Sequence, residues 1–112
     1  MEDFEKIHVD GIHIIVVNLS RSTINEASAF WEIVEKEINS GHKKIVIDLK
    51  MCEFIDSVFL GVIIKALKMM TIKDYKLKLV QPENPGEELF TNRNLTRLFD
   101  LYTTREDAIK SF

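Results

Sequence analysis

The sequence predicts an α/β domain: a mixed, mostly parallel sheet of four or five strands with about four helices, ordered β-β-α-β-α-β-α-β-α. Three observations carry this. Segments rich in β-branched residues alternate along the chain with segments of helical periodicity. Asp10-Gly11 sits between two runs of strand character, a strong signal for a two-residue hairpin. And Ile45–Leu49 is a short apolar run interrupted only by Asp48, which suits a strand covered on both faces.

The elements follow in order. Phe4–Val9 reads as a first strand and His13–Leu19 as its antiparallel partner. Ser20-Arg21-Ser22 reads as a loop. Thr23 with Glu26 matches a capping box, which opens a helix running to about Ser40. Ala27, Phe30, Trp31, Val34 and Ile38 share one face of that helix, and Trp31 is expected in the core. Gly41 suits the left-handed residue just past its end. After the Ile45–Leu49 strand, Lys50–Ile55 is a loop. Lys73-Asp74-Tyr75 is a turn and Lys76–Val80 a further strand, stopped by Pro82 and Pro85. Glu87–Arg93 reads as a short helix and Leu101-Tyr102 as a last strand. Thr103 with Glu106 suits a second capping box, opening a terminal helix that contains Ala108 and Ile109.

The helix after Lys50–Ile55 is the most unusual element. Asp56 and Ser57 offer side-chain oxygens to the unpaired N–H groups of a first turn. At about 100° per residue, Leu60, Ile63, Ile64 and Leu67 fall together as the expected core face. Val58, Val62 and Met69 fall on the opposite side, where a surface helix is normally polar. Such an apolar strip suggests a partner. Ser57, Gly61 and Lys68 lie along one flank, with Lys65 between that flank and the strip. Gly61 beside the serine lets another backbone approach closely. Phe59 lies between the core face and the strip, so its ring is expected to be partly buried with an edge left for a partner.

Composition bounds the function. The chain has 112 residues, enough for one domain with a modest core. Its net charge of −3 and lack of a basic cluster argue against nucleic acid. Cys52 is the one cysteine, so no internal disulfide forms and a reducing compartment fits. No apolar run reaches the ~20 residues of a membrane span, and the acidic N-terminus is unlike a signal peptide. A cytoplasmic protein without membrane insertion is expected.

Catalytic signals are weak. There is no phosphate-cradling glycine loop and no nucleophile elbow. Asp48, Glu53 and Asp56 are near in sequence, but they read as a strand end, a loop carboxylate and a helix cap. Cys52 has no evident base nearby. His8, His13 and His42 are spread over two strands and a loop without zinc-site spacing, so no metal site is expected.

The stretch IVIDLKMCEFIDSVFLGVIIKAL resembles the central signature of the STAS domains of bacterial anti-sigma-factor antagonists. That signature is an apolar strand ending in Asp-Leu, a short loop, then apolar-Asp-Ser-Ser/Thr-Gly-Leu-Gly and an apolar helix. Asp48-Leu49, Asp56-Ser57 and Leu60-Gly61 match it. Val58 stands where Ser or Thr is usual, and Phe59 where Gly is usual. Asn94 takes the place of the family's helix-ending Gly, and Leu95–Phe99 is similar to the family's Gly-Leu-x-Arg-Leu-Phe segment.

The resemblance implies a single STAS domain over residues 1–112. It implies a non-catalytic protein-binding module, an anti-sigma-factor antagonist that holds an anti-sigma factor serine kinase while Ser57 is free and is released when Ser57 is phosphorylated. The partner surface is then Asp56, Val58, Phe59, Gly61, Val62, Lys65 and Met69. The domain itself needs no cofactor, because ATP and Mg²⁺ belong to the partner kinase. The alternatives keep the fold and drop the switch: a scaffold, a homodimer, a transport-accessory subunit, or a small-ligand or nucleotide-binding domain.

Overall fold

The computed structural model describes residues 2–83 and 97–112. Within them the order is β1 (Phe4–Val9), β2 (Ile12–Val17), β3 (Arg21–Ser22), α1 (Ile24–Asn39), β4 (Lys44–Asp48), β5 (Phe54–Ile55), α2 (Ser57–Ile72), β6 (Lys76–Val80), β7 (Asp100–Tyr102) and α3 (Arg105–Lys110). The described residues thus hold three helices rather than about four. The expected helix Glu87–Arg93, with Asn94, lies outside them.

The main sheet has five strands in the order β1-β2-β4-β6-β7. β1 and β2 are antiparallel, and every other neighbouring pair is parallel. Asp10 and Gly11 both take positive φ, 51° and 79°, as the two-residue turn requires. β4 lies at the centre, and Ile45–Leu49 are all fully buried. The apolarity of Ile45, Val46, Ile47 and Leu49 therefore reflects cover on both faces.

Alternation along the strands sorts the core into two layers. Ile15, Val17, Ile45, Ile47, Leu77 and Leu79 pack under α1 and α2. Ile14, Val16, Val46 and Val80 face the other way, against Ala108 and Ile109 of α3. Two charges are buried on that second face. Asp48 accepts from Arg105 Nε at 3.0 Å. Lys78 lies over the rings of Tyr102 and Phe112 at 5.3 and 4.8 Å, with Asp100 at 3.8 Å.

Caps fall close to where the sequence puts them. Thr23 and Glu26 form the full capping box of α1, and Gly41 has φ 85°. For α3 the cap is Thr104, which accepts from Asp107 N, one residue later than expected. Tyr102 pairs with Val80, and its carbonyl accepts from Gln81 N at 2.9 Å. The chain therefore stays extended through Tyr102, and the second of two equally good capping threonines starts the helix.

Two loops expected to be irregular pair instead. β3 and β5 form a separate two-stranded parallel sheet, with Arg21 opposite Phe54 and Ser22 opposite Ile55. Two-residue strands carry no periodicity, so the sequence offers no sign of them. Their pairing decides how α2 begins.

Candidate functional site

Between β4 and α2 the backbone is tied down step by step. Cys52 N donates to Leu49 O, Glu53 N and Phe54 N both donate to Ser20 O, and Asp56 N donates to Ser22 O, all at 2.7–3.0 Å. Cys52 is buried, with its Sγ 3.4 Å from Ser22 Oγ. Burial pushes its thiol up to about 11, so it is protonated at neutral pH and no nucleophile.

Asp56 is the N-cap of α2, as its position in the sequence suggests, but it does more than cap one helix. One carboxylate oxygen accepts from Phe59 N at 2.8 Å, and the other accepts from Ile24 N, the first residue of α1, also at 2.8 Å. A single carboxylate thus serves the positive ends of two helices. Ser57 follows as the first residue of α2 and is exposed.

The arc that α2 buries is rotated from the expected one. Phe59, Leu60, Ile63, Ala66 and Met70 are buried, while Ile64 and Leu67 are only half-buried. The polar flank Ser57, Gly61, Lys65 and Lys68 is the outer face, and the buried arc lies opposite that flank rather than opposite the Val58/Val62/Met69 strip. Packing makes the choice: the Phe59 ring stacks on Phe30 of α1 at 4.5 Å and 11°, and Phe30 stacks on Phe4 at 5.3 Å. Phe59 has no exposed surface. The expectation that its edge meets a partner is therefore corrected, and Phe59 leaves the candidate contact surface.

The apolar strip is also relocated. Val62 and Met69 are half-buried against the main core, and only Val58 is exposed, at 44%. Val58, Val62 and Lys65 line one wall of a groove of about 400 Å³ whose other wall is Ala27, Ser28, Trp31 and Glu32 of α1. Trp31 is half-buried there rather than in the core, with Lys65 Nζ 4.2 Å from its ring centre. The exposed stripe of α2 is Ser57, Gly61, Lys65, Lys68 and Ile72. A Cβ built on Gly61 meets nothing within 4 Å, so nothing in the described part of the fold requires glycine there.

The surface therefore joins Ser57, Val58, Gly61 and Lys65 to α1 residues that sequence reasoning left out. Ile24, 64% exposed, stands beside Asp56 through its hydrogen bond. An exposed isoleucine straight after a capping threonine was the available signal. Asp48 and Glu53 do not join the site. Asp48 is paired with Arg105 on the other face of the sheet.

The family profile of the STAS domain matches residues 3–108. The chain belongs to the STAS domain family. Within it, the chain is 33% identical over 103 residues to a Thermotoga maritima protein named "Putative anti-sigma factor antagonist", covering 91% of this chain and 90% of that one. A crystal structure of a Thermotoga maritima protein of the same description superposes with a TM-score of 0.83 at 30% identity, over 96% of this chain and 92% of that one. The STAS fold is also shared with the Bacillus cell fate determinant SpoIIAA in its phosphorylated form, at TM-score 0.74 and 16% identity, over 96% and 97% of the two chains. Among the described residues no helix is long and apolar enough to cross a membrane.

Proposed function

We propose that this STAS domain is an anti-sigma-factor antagonist that binds an anti-sigma factor serine kinase through the start of α2 and its groove with α1, and that phosphate on Ser57 releases it. One observation carries the reading. An exposed serine is the first residue of a helix whose start is held rigidly by Asp56 and the β3–β5 ladder, beside a half-apolar groove. The domain contributes no catalytic group, and ATP and Mg²⁺ enter with the kinase.

The mechanism follows from placement. Phosphate adds about −1.5 to −2 charges at neutral pH. The N–H groups and dipole at the helix start favour that charge by ~0.3–1 kcal/mol, while the neighbouring Asp56 carboxylate opposes it. The fold survives the modification. A partner seated over Ser57 and Val58 must strip water from the phosphate, at a cost of several kcal/mol unless a cation meets it. That is enough to abolish a complex of about micromolar Kd. In relatives, the Bacillus SpoIIAA structures in unphosphorylated and phosphorylated form accord with such a switch.

The test uses a serine kinase of the anti-sigma type with ATP. Mass spectrometry should place the phosphate on Ser57 alone. Ser57→Ala should bind the kinase and resist release, and Ser57→Asp should not bind. Val58→Asp should leave the melt nearly unchanged and still abolish binding. Phosphate mapped only to Ser22, Thr23 or Thr103 would refute the switch. Unimpaired binding by both Ser57→Asp and Val58→Asp would move the contact elsewhere and favour a phosphorylation-independent scaffold.

A further inference from the structure

Three histidines far apart in sequence meet at the opposite end of the sheet from Ser57. The β1–β2 register sets His8 opposite His13, and their rings stack at 4.4 Å. His42, in the loop entering β4, stacks on the other face of His13 at 3.5 Å and 17°. Beside them lies Glu37, in the last turns of α1 and only 8% exposed. Its Oε2 is 3.1 Å from His42 Nε2 and 3.9 Å from His13 Nδ1, and its Oε1 is 3.6 Å from Lys6 Nζ.

A carboxylate there is doubly disfavoured. Burial strips its water, and the C-terminal end of a helix is the negative end of its dipole. It needs cationic partners, and Lys6, 54% exposed at its side chain, is a loosely held one. One donor atom each from His13, Glu37 and His42 lie within 4.8 Å of one another.

We propose that His13, Glu37 and His42 form a binding site for a divalent first-row transition cation of the zinc type. Two imidazoles and a carboxylate are a ligand set zinc commonly takes, at about 2.0–2.2 Å per bond. Tetrahedral bonds of that length put ligand atoms about 3.3 Å apart. The His42–Glu37 pair, at 3.1 Å, already has about that spacing, and the widest pair of donor atoms, within 4.8 Å, closes to it by about 1.5 Å as the His13 and His42 rings turn out of their stack to aim a nitrogen each at the cation. Lys6 swings out to solvent when the cation arrives, and water takes the fourth position. The ligands come from a strand, a helix and a short loop, so the set is held by the folded core rather than by a flexible segment. His8 covers the outer face of His13 and is not needed as a ligand. This site is independent of the kinase-binding reading, because it shares no residue with it.

The test uses the untagged chain, freed of metal by chelator and titrated with Zn²⁺ by calorimetry at pH 7.5. One equivalent should bind with a Kd of ~100 μM or tighter. His42→Ala and Glu37→Gln should each weaken binding by about tenfold or more. His42 is half-exposed in a loop, so His42→Ala should fold normally without metal, and a melt checks this. Zn²⁺ should also shift the imidazole NMR signals of His13 and His42 and raise the melting temperature of the wild type but not of His42→Ala. No saturable binding would overturn the proposal. So would undiminished binding by a folded His13→Asn/His42→Ala variant.

Discussion

The two ends of the central sheet are built from different materials. At the carboxyl end of β4 the groups that matter are backbone amides, one capping carboxylate and exposed apolar side chains. At its amino end they are three stacked imidazoles around one buried glutamate. The first arrangement is a network of backbone and cap hydrogen bonds that fixes the start of α2. The second gathers nitrogen and oxygen donors around one carboxylate, the chemistry of a cation site. The ends are separated by the length of β4, at about 3.3 Å per residue. A change at one end should therefore leave the other nearly untouched, since sites beyond ~7–10 Å with no shared partner behave additively.

The largest expected effect tests the link between α1 and α2 that supports the Ser57 end. Phe59→Ala removes a fully buried ring stacked on Phe30, and should cost ~3–5 kcal/mol in denaturant unfolding. A loss below ~1 kcal/mol would mean that the helices do not depend on this stack.

Next is Asp56→Ala, which strips the cap from α2 and leaves Ile24 N of α1 without its acceptor. A loss of ~2 kcal/mol is expected, more than the ~1 kcal/mol typical of a single cap. The matching cap change Thr104→Ala, at α3, should stay near ~1 kcal/mol. Equal losses would deny Asp56 its second role.

Gly61→Ala is expected to act in the opposite direction. Nothing crowds a Cβ at this helical position, so alanine should stabilise the domain by ~0.5–1 kcal/mol. If a partner backbone lies close to Gly61, the same variant should bind the kinase less well while melting higher. A destabilised variant would contradict the open surface described.

The smallest effect is at the other end and depends on pH. Burial, then the neighbouring His42 and His8, hold His13 below its ordinary 6.5, with Glu37 opposing. The unfolded chain therefore takes up a proton at His13 before the folded chain does. Stability contributed by neutral His13 is present above the unfolded value and is lost as pH falls through and below it. In chelator-treated protein the melting temperature should drop from pH 7.5 to pH 5.5, and His13→Gln should flatten that slope. Ser57→Ala should leave the slope as it is. A slope unchanged by His13→Gln would assign the pH response to other groups.

Legibility differed between the two ends for a physical reason. Asp56-Ser57 and the apolar run after it lie within one stretch of chain, so local capping chemistry and the family signature both mark them. The fold class was legible too, because the alternation of strand and helix patterns, the Asp10-Gly11 turn and the apolar Ile45–Ile47 run of β4 each express a local rule. The face of α2 was not. Its polar flank, Ser57, Gly61, Lys65 and Lys68, is narrow beside two apolar stripes, and the aromatic stack with Phe30 sets the buried arc opposite that flank, removing Phe59 from the surface and turning Val62 and Met69 partly inward.

By itself the sequence determined the sheet with its antiparallel edge pair, the caps at Thr23 and Asp56, and the exposed start of α2 at Ser57. Each of these rests on contacts between residues near in the chain or on period-two and helical patterning. Only the tertiary structure decided that Ser22 and Ile55 pair, that Asp56 serves α1 as well as α2, that Trp31 and Lys65 share a groove, and that Glu37 and His42 meet His13. Those contacts join residues 24 to 34 positions apart in the chain, and no local preference encodes a distance that only the packing of helices on the sheet brings to contact.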